Sequence, residues 1–142
     1  MALRFPYLGT MKAPFMTPNW KTYFLGFILL FIIEVCIALY LHDTIIRPFV
    51  GDILVVLLVY CFVMTVLLLT TTRIKITIVA LSVLVFAFCV EALQATELLQ
   101  TLDLSENKLA SVILGSTFDW LDLVAYIIGT LFIILLEKIR SA

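Results

Sequence analysis

The sequence predicts an all-α integral membrane protein: a bundle of four transmembrane helices, with a short interfacial helix between the third and fourth spans. Three observations lead there. Of the 142 residues, 64% are hydrophobic and 13% charged, and the mean hydropathy is +1.22. A soluble domain carries about 25% charged residues, so this much apolar surface needs lipid as its solvent. Four apolar runs each come close to the ~20 residues that cross a bilayer core. Lys and Arg are also spread unevenly among the connections, as in polytopic membrane proteins.

Residues 1–21, with Pro6, Pro14 and Pro18 and three basic side chains, read as a cytoplasmic or interfacial tail. Phe5, Tyr7, Phe15 and Trp20 suit it to the membrane surface. The charge order resembles a signal peptide, but the apolar run behind it is too long for one. That run also contains Glu34 and lacks a small-x-small cleavage site, so it reads as a retained first span. Residues 22–142 then form one transmembrane domain. Its first span covers about 23–41, and a loop follows over 42–51. Asp52 is placed as an N-cap or first-turn residue of the second span, about 53–70, where its charge meets the positive end of the helix dipole.

Residues 70–75 form a tight basic turn, and the third span covers about 76–95. Within the mildly acidic connection 96–118, residues 105–113 read as the short interfacial helix, capped by Ser105. The fourth span covers about 119–136, with Ser116 or Thr117 as its N-cap. Cys36, Cys61 and Cys89 lie inside apolar runs without CxxC spacing and read as small buried hydrophobes.

Seven Lys and Arg residues (Arg4, Lys12, Lys21, Arg73, Lys75, Lys138, Arg140) flank one side of the four spans. Arg47 and Lys108 are on the other. This bias places both termini in the cytoplasm. Glu34, Asp52, Glu91, Asp119 and Asp122 then all fall in the outer third of the membrane, with His42, Asp43 and Arg47 directly above them. An ionised side chain at mid-span costs about 2.5–3.5 kcal/mol on an insertion scale. Carboxyls supplied by four helices at one level are therefore expected to face inward, around a water-accessible pocket.

Glu91, Asp122 and Asp119 are the candidate catalytic residues, with Glu91 and Asp122 acting as acid and base. Glu34, Arg47, Asp52, Gln94, Tyr126 and His42 are the candidate binding residues. Asp122, Tyr126 and Gly129 follow at helical steps and share a face. Each residue also has a structural reading. Glu34 can be an interhelical hydrogen-bond donor, Asp52 a cap tied to Arg47, and Asp119 a capping-box partner of Ser116. His42 can be an exposed loop residue, Gly129 a close packing point, and Trp20, Tyr23, Tyr40 and Trp120 interfacial belt residues.

No cofactor is predicted. The carboxylates with one His would suit a hard divalent cation better than zinc, and no HExxH motif exists. The formal net charge of −1 gives no basic face for a nucleic-acid partner. Expected partners are the bilayer, a lipid-linked envelope substrate, or a larger membrane complex against which the spans would pack as an accessory subunit.

Three motifs carry a resemblance: Arg47-Pro48-Phe49-Val50-Gly51-Asp52, Val90-Glu91-Ala92-Leu93-Gln94, and Leu114-Gly115-Ser116-Thr117-Phe118-Asp119-Trp120-Leu121-Asp122-Leu123-Val124-Ala125-Tyr126. Together they resemble a bacterial family of small membrane proteins known as a domain of unknown function. That family is distantly similar to the VanZ-like proteins of the cell envelope, in which an acidic residue opens one helix, Glu-x-x-Gln ends another and Asp-x-x-x-Asn-x-x-Gly lies in the last. The counterparts here are Asp52, Glu91 with Gln94, and Asp122, Tyr126 and Gly129. Tyr126 stands in place of the Asn, and Ile53 in place of a Lys. The resemblance implies a bacterial inner-membrane protein acting on a cell-envelope amphiphile at the outer face.

Overall fold

The computed structural model describes residues 19–70, 75–95 and 119–141. They form four helices: α1 (Trp20–Tyr40), α2 (Ile46–Leu69), α3 (Ile76–Ala95) and α4 (Trp120–Ser141). Each is long and apolar enough to cross a membrane. The N-terminal tail up to residue 18, the turn at 71–74, the helix expected over 105–113 and the capping candidates Ser116 and Thr117 lie outside the described residues.

Three helix starts differ from the sequence reading, each with a local cause. α2 begins at Ile46, well before Asp52, with Ile45 as an N-cap that makes no side-chain hydrogen bond. Pro48 falls in the first turn, where its missing N–H removes nothing the helix would use. Asp52 is therefore an interior residue of α2 and not its cap. At α4 the cap is Asp119 itself, whose Oδ1 accepts from the Leu121 N–H at 3.0 Å. Asn19 does the same for α1, accepting from the Lys21 N–H at 3.1 Å.

Helix α2 packs against all three others, and α4 also packs against α3. Glu34 meets Gly51 at one end of α1 and Tyr23 meets Tyr60 near the other, so α1 and α2 run antiparallel. The core is narrow: Val56, Tyr60 and Met64 of α2, Val79, Ala80 and Val83 of α3, Ile133 of α4 and Tyr23 of α1. Large apolar side chains such as Leu25, Leu39, Val85 and Leu131 face outward, as lipid as solvent allows.

Helices in lipid gain little from hydrophobic burial against one another, so close approach through small residues matters more. Ala80 and Ala125 are fully buried. A Cβ on Gly129 would stand 3.0 Å from the Ile53 carbonyl oxygen and 3.3 Å from the Val56 Cβ. Gly129 is thus where the α4 and α2 backbones meet, as its place in the sequence suggested. The hydroxyls of Thr65, Ser82 and Thr130 donate to carbonyls four residues earlier, at 2.8, 2.8 and 2.9 Å. Each polar group is satisfied inside its own helix. The cysteines are free thiols, and Cys36 and Cys89 are exposed rather than buried. An apolar run in a membrane helix marks lipid contact as readily as core.

Candidate functional site

The polar residues at one end of the bundle form three connected groups. The first joins α3 to α4. Glu91, 1% exposed near the end of α3, accepts the Asp119 backbone N–H at 3.2 Å through Oε1. Its Oε2 accepts the Tyr126 hydroxyl at 3.4 Å. Asp119 is thereby bound twice: its side chain caps α4 and its amide meets Glu91. One carboxylate fixes the start of one helix against the end of another, which an acceptor aimed at the free N–H groups of a helix start does well.

The second group joins α2 to α4. The carboxyls of Asp52 and Asp122 are hydrogen-bonded to each other, and Glu91 and Glu34 are the next charges that Asp52 senses. Glu34, Asp52, Glu91 and Asp122 thus lie on four different helices at the same end of the bundle. Gln94 is half-buried near the end of α3.

The third group surrounds a cavity of about 550 Å³ between α1 and α2. Glu34, His42, Asp43, Arg47, Asp52 and Val55 are among its walls. Glu34 sits over Gly51, its Oε2 3.7 Å from where a Cβ would be, and its Oε1 is buried without a hydrogen-bond partner among the described residues. His42, exposed, sets Nδ1 3.2 Å from the Tyr40 carbonyl oxygen, and Asp43 Oδ1 accepts the Ile45 N–H at 3.2 Å. Asp52 belongs to both the cavity and the carboxyl pair. Glu91, Asp119, Asp122 and Tyr126 are not among the cavity's lining residues. The predicted site residues thus divide into an interhelical knot and a cavity, with Asp52 between them. No group of three or more His, Cys, Asp or Glu side chains placed to hold a metal ion occurs among the described residues.

Sequence reasoning missed a further polar cluster at the opposite end, about 16 Å from Glu34 along α1 at the helical rise. Glu137 Oε1 accepts from the Tyr23 hydroxyl at 2.6 Å and from the Tyr60 hydroxyl at 3.1 Å. The two rings meet edge-on with centroids 6.1 Å apart, and the Arg140 guanidinium lies 5.2 Å from the Tyr23 ring centroid. Tyr23 is therefore buried, at 4% exposure, and is not a belt residue. Trp20, Tyr40 and Trp120 remain exposed. The one available signal was a Glu a single turn before Arg140, on a helix that also carries Tyr126.

Four membrane-length helices joined by buried carboxylate and tyrosine contacts define a polytopic helical membrane protein. The family described as "protein of unknown function (DUF2809)" matches residues 41–130, and this chain belongs to it. No curated protein matches the chain, and no solved structure does.

Proposed function

We propose that the cavity between α1 and α2 binds the polar head of a cell-envelope amphiphile, at the non-cytoplasmic face of a bacterial inner membrane. The observation that carries this reading is Glu34. A carboxylate oxygen buried without a partner is costly in a low-dielectric setting, and a ligand hydroxyl or ammonium would satisfy it. Arg47 on the same cavity wall offers a planar fork suited to a phosphate or carboxylate. In this reading Glu34, Arg47, Asp52 and His42 meet the ligand, while Glu91, Asp119 and Tyr126 hold α3 against α4, which packs on α2 behind the cavity. Asp122 acts through Asp52. The uneven Lys and Arg placement supports both termini lying in the cytoplasm, with the cavity opposite, and the resemblance to VanZ-like proteins supports an envelope role.

A second reading is favoured by Glu91. With 1% exposure and both oxygens accepting hydrogen bonds, it has the features of interhelical glue, as in an accessory subunit of a larger membrane complex. Complementation of a deletion strain separates the two. Under the binding reading, Glu34→Gln and Arg47→Ala accumulate normally and fail to restore the envelope phenotype. Full complementation by both variants, with stoichiometric recovery of a larger partner, would favour the subunit.

A further inference from the structure

We infer that the ligand's hydrocarbon chain leaves the polar cavity over Val55 and lies in an apolar slot between α2 and α3. The inference rests on the proposed binding of an amphiphile head and specifies how the rest of that molecule is held. Val55 lines both spaces. It is a wall of the 550 Å³ polar cavity and also of an apolar slot of about 100 Å³ formed with Val59, Val83, Phe86, Ala87 and Tyr126. At 43% exposure, it is a threshold that neither space closes off.

The geometry follows from the packing. α1 and α3 both lie against α2, and neither is counted among the other's packing partners among the described residues. A furrow along α2 between two flanking helices is the consequence. Its upper part carries Glu34, Asp52 and Arg47, and its lower part is wholly aliphatic and aromatic except for Tyr126.

The occupant is fixed by the change of chemistry at Val55. Above it, a carboxylate oxygen lacks a donor among the described residues and a guanidinium can meet an anion. Below it, every wall except the Tyr126 phenol is hydrocarbon. A free phosphate or a sugar would leave the lower part without a partner, and an alkane would leave the upper part without one. A chain-bearing phosphate ester with a hydroxyl or ammonium close to the phosphate fits both. Entry from the bilayer between α1 and α3 keeps the chain in hydrocarbon throughout.

The test uses the full-length protein in detergent and a hexadecyl phosphate carrying a diazirine at mid-chain. After photolysis, adducts are mapped by peptide mass spectrometry. The expected result is saturable labelling at Val59, Val83, Phe86 and Ala87. Excess unlabelled hexadecyl phosphate should suppress it, and millimolar inorganic phosphate should leave it unchanged. Val55→Trp, which fills the threshold without touching a charge, should reduce slot labelling at least tenfold, as should Arg47→Ala. Ala87→Leu narrows the slot from the α3 side and gives the same answer should the Trp variant fail to accumulate.

Adducts spread over outward residues such as Leu25, Val85 and Leu131, insensitive to competitor, would overturn the inference. So would suppression by inorganic phosphate alone. If hexadecyl phosphate is retained in an Arg47-dependent way without slot adducts, the chain path fails and the head site stands. If neither retention nor labelling depends on Arg47, both fail.

Discussion

The Tyr23 hydroxyl donates a 2.6 Å hydrogen bond to Glu137, tying the first turn of α1 to the C-terminal part of α4. Tyr60 of α2 donates to the same oxygen, so three helices are joined at one atom. Hydrogen bonds to a charged acceptor contribute about 1.5–3 kcal/mol where the partner would otherwise be left unsatisfied. Tyr23→Phe should lower the apparent melting temperature in detergent more than Tyr60→Phe, following the shorter bond. Combining Tyr23→Phe with Glu137→Gln should cost less than the sum of the two, since both remove one interaction. Additive losses would show that the cluster does not act as a unit.

Glu91 gives a second prediction. Replacing it with Ala removes both the acceptor for the α4 amide and the acceptor for Tyr126. Loss of a buried, doubly bonded carboxylate should destabilise the bundle by about 2–4 kcal/mol, seen as reduced abundance and lower thermal stability. Gln keeps one acceptor oxygen and should lose less than half as much. Equal losses for both variants would show that charge, and not hydrogen bonding, joins α3 to α4.

Asp52 and Asp122 give a third. An Asn amide at position 52 can donate to Asp122 in place of the proton that the two carboxyls must otherwise share. Asp52→Asn is therefore expected to leave thermal stability equal or raise it by about 1 kcal/mol, the size of a typical net hydrogen bond. Asp52→Leu, which can neither donate nor accept, should lower it. Unfolding followed by circular dichroism in micelles distinguishes these outcomes.

The glycines give a fourth. At Gly129 a methyl group would press on the α2 backbone at Ile53, so Gly129→Ala should cost about 1–3 kcal/mol through overpacking. Gly51 has ordinary contact distance at the same test, with Glu34 Oε2 3.7 Å away. Gly51→Ala should be neutral or stabilising by up to about 1 kcal/mol, through reduced freedom of the unfolded chain. A comparison of abundance and melting temperature for the two variants checks the assignment of α4 to this face of α2.

Composition and the length of the apolar runs were enough for the four spans, since membrane crossing demands length and apolarity and these are written linearly in the chain. The helix α3, Ile76–Ala95, covers the run from which the third span was read. That Glu34, Asp52, Glu91 and Asp122 lie toward the same end of the four helices follows from their sequence positions, because rise per residue converts position into distance along a helix. Helix starts were less so: Pro48 and Asp52 look like loop and cap in one dimension, and only the continuous turn from Ile46 makes them helix interior.

Azimuth is what the sequence could not supply. Nearly every position in α1, α2 and α3 is apolar, so no polar stripe tells which face meets a neighbour and which meets lipid. Tyr23 and Glu137 sit near opposite ends of the chain and become partners only when α1 and α4 are brought against α2. The same packing places Glu91 under the start of α4, leaves Glu34 and Arg47 around a cavity, and sets Val55 between polar and apolar walls. Depth is a property of one helix, while partnership is a property of two.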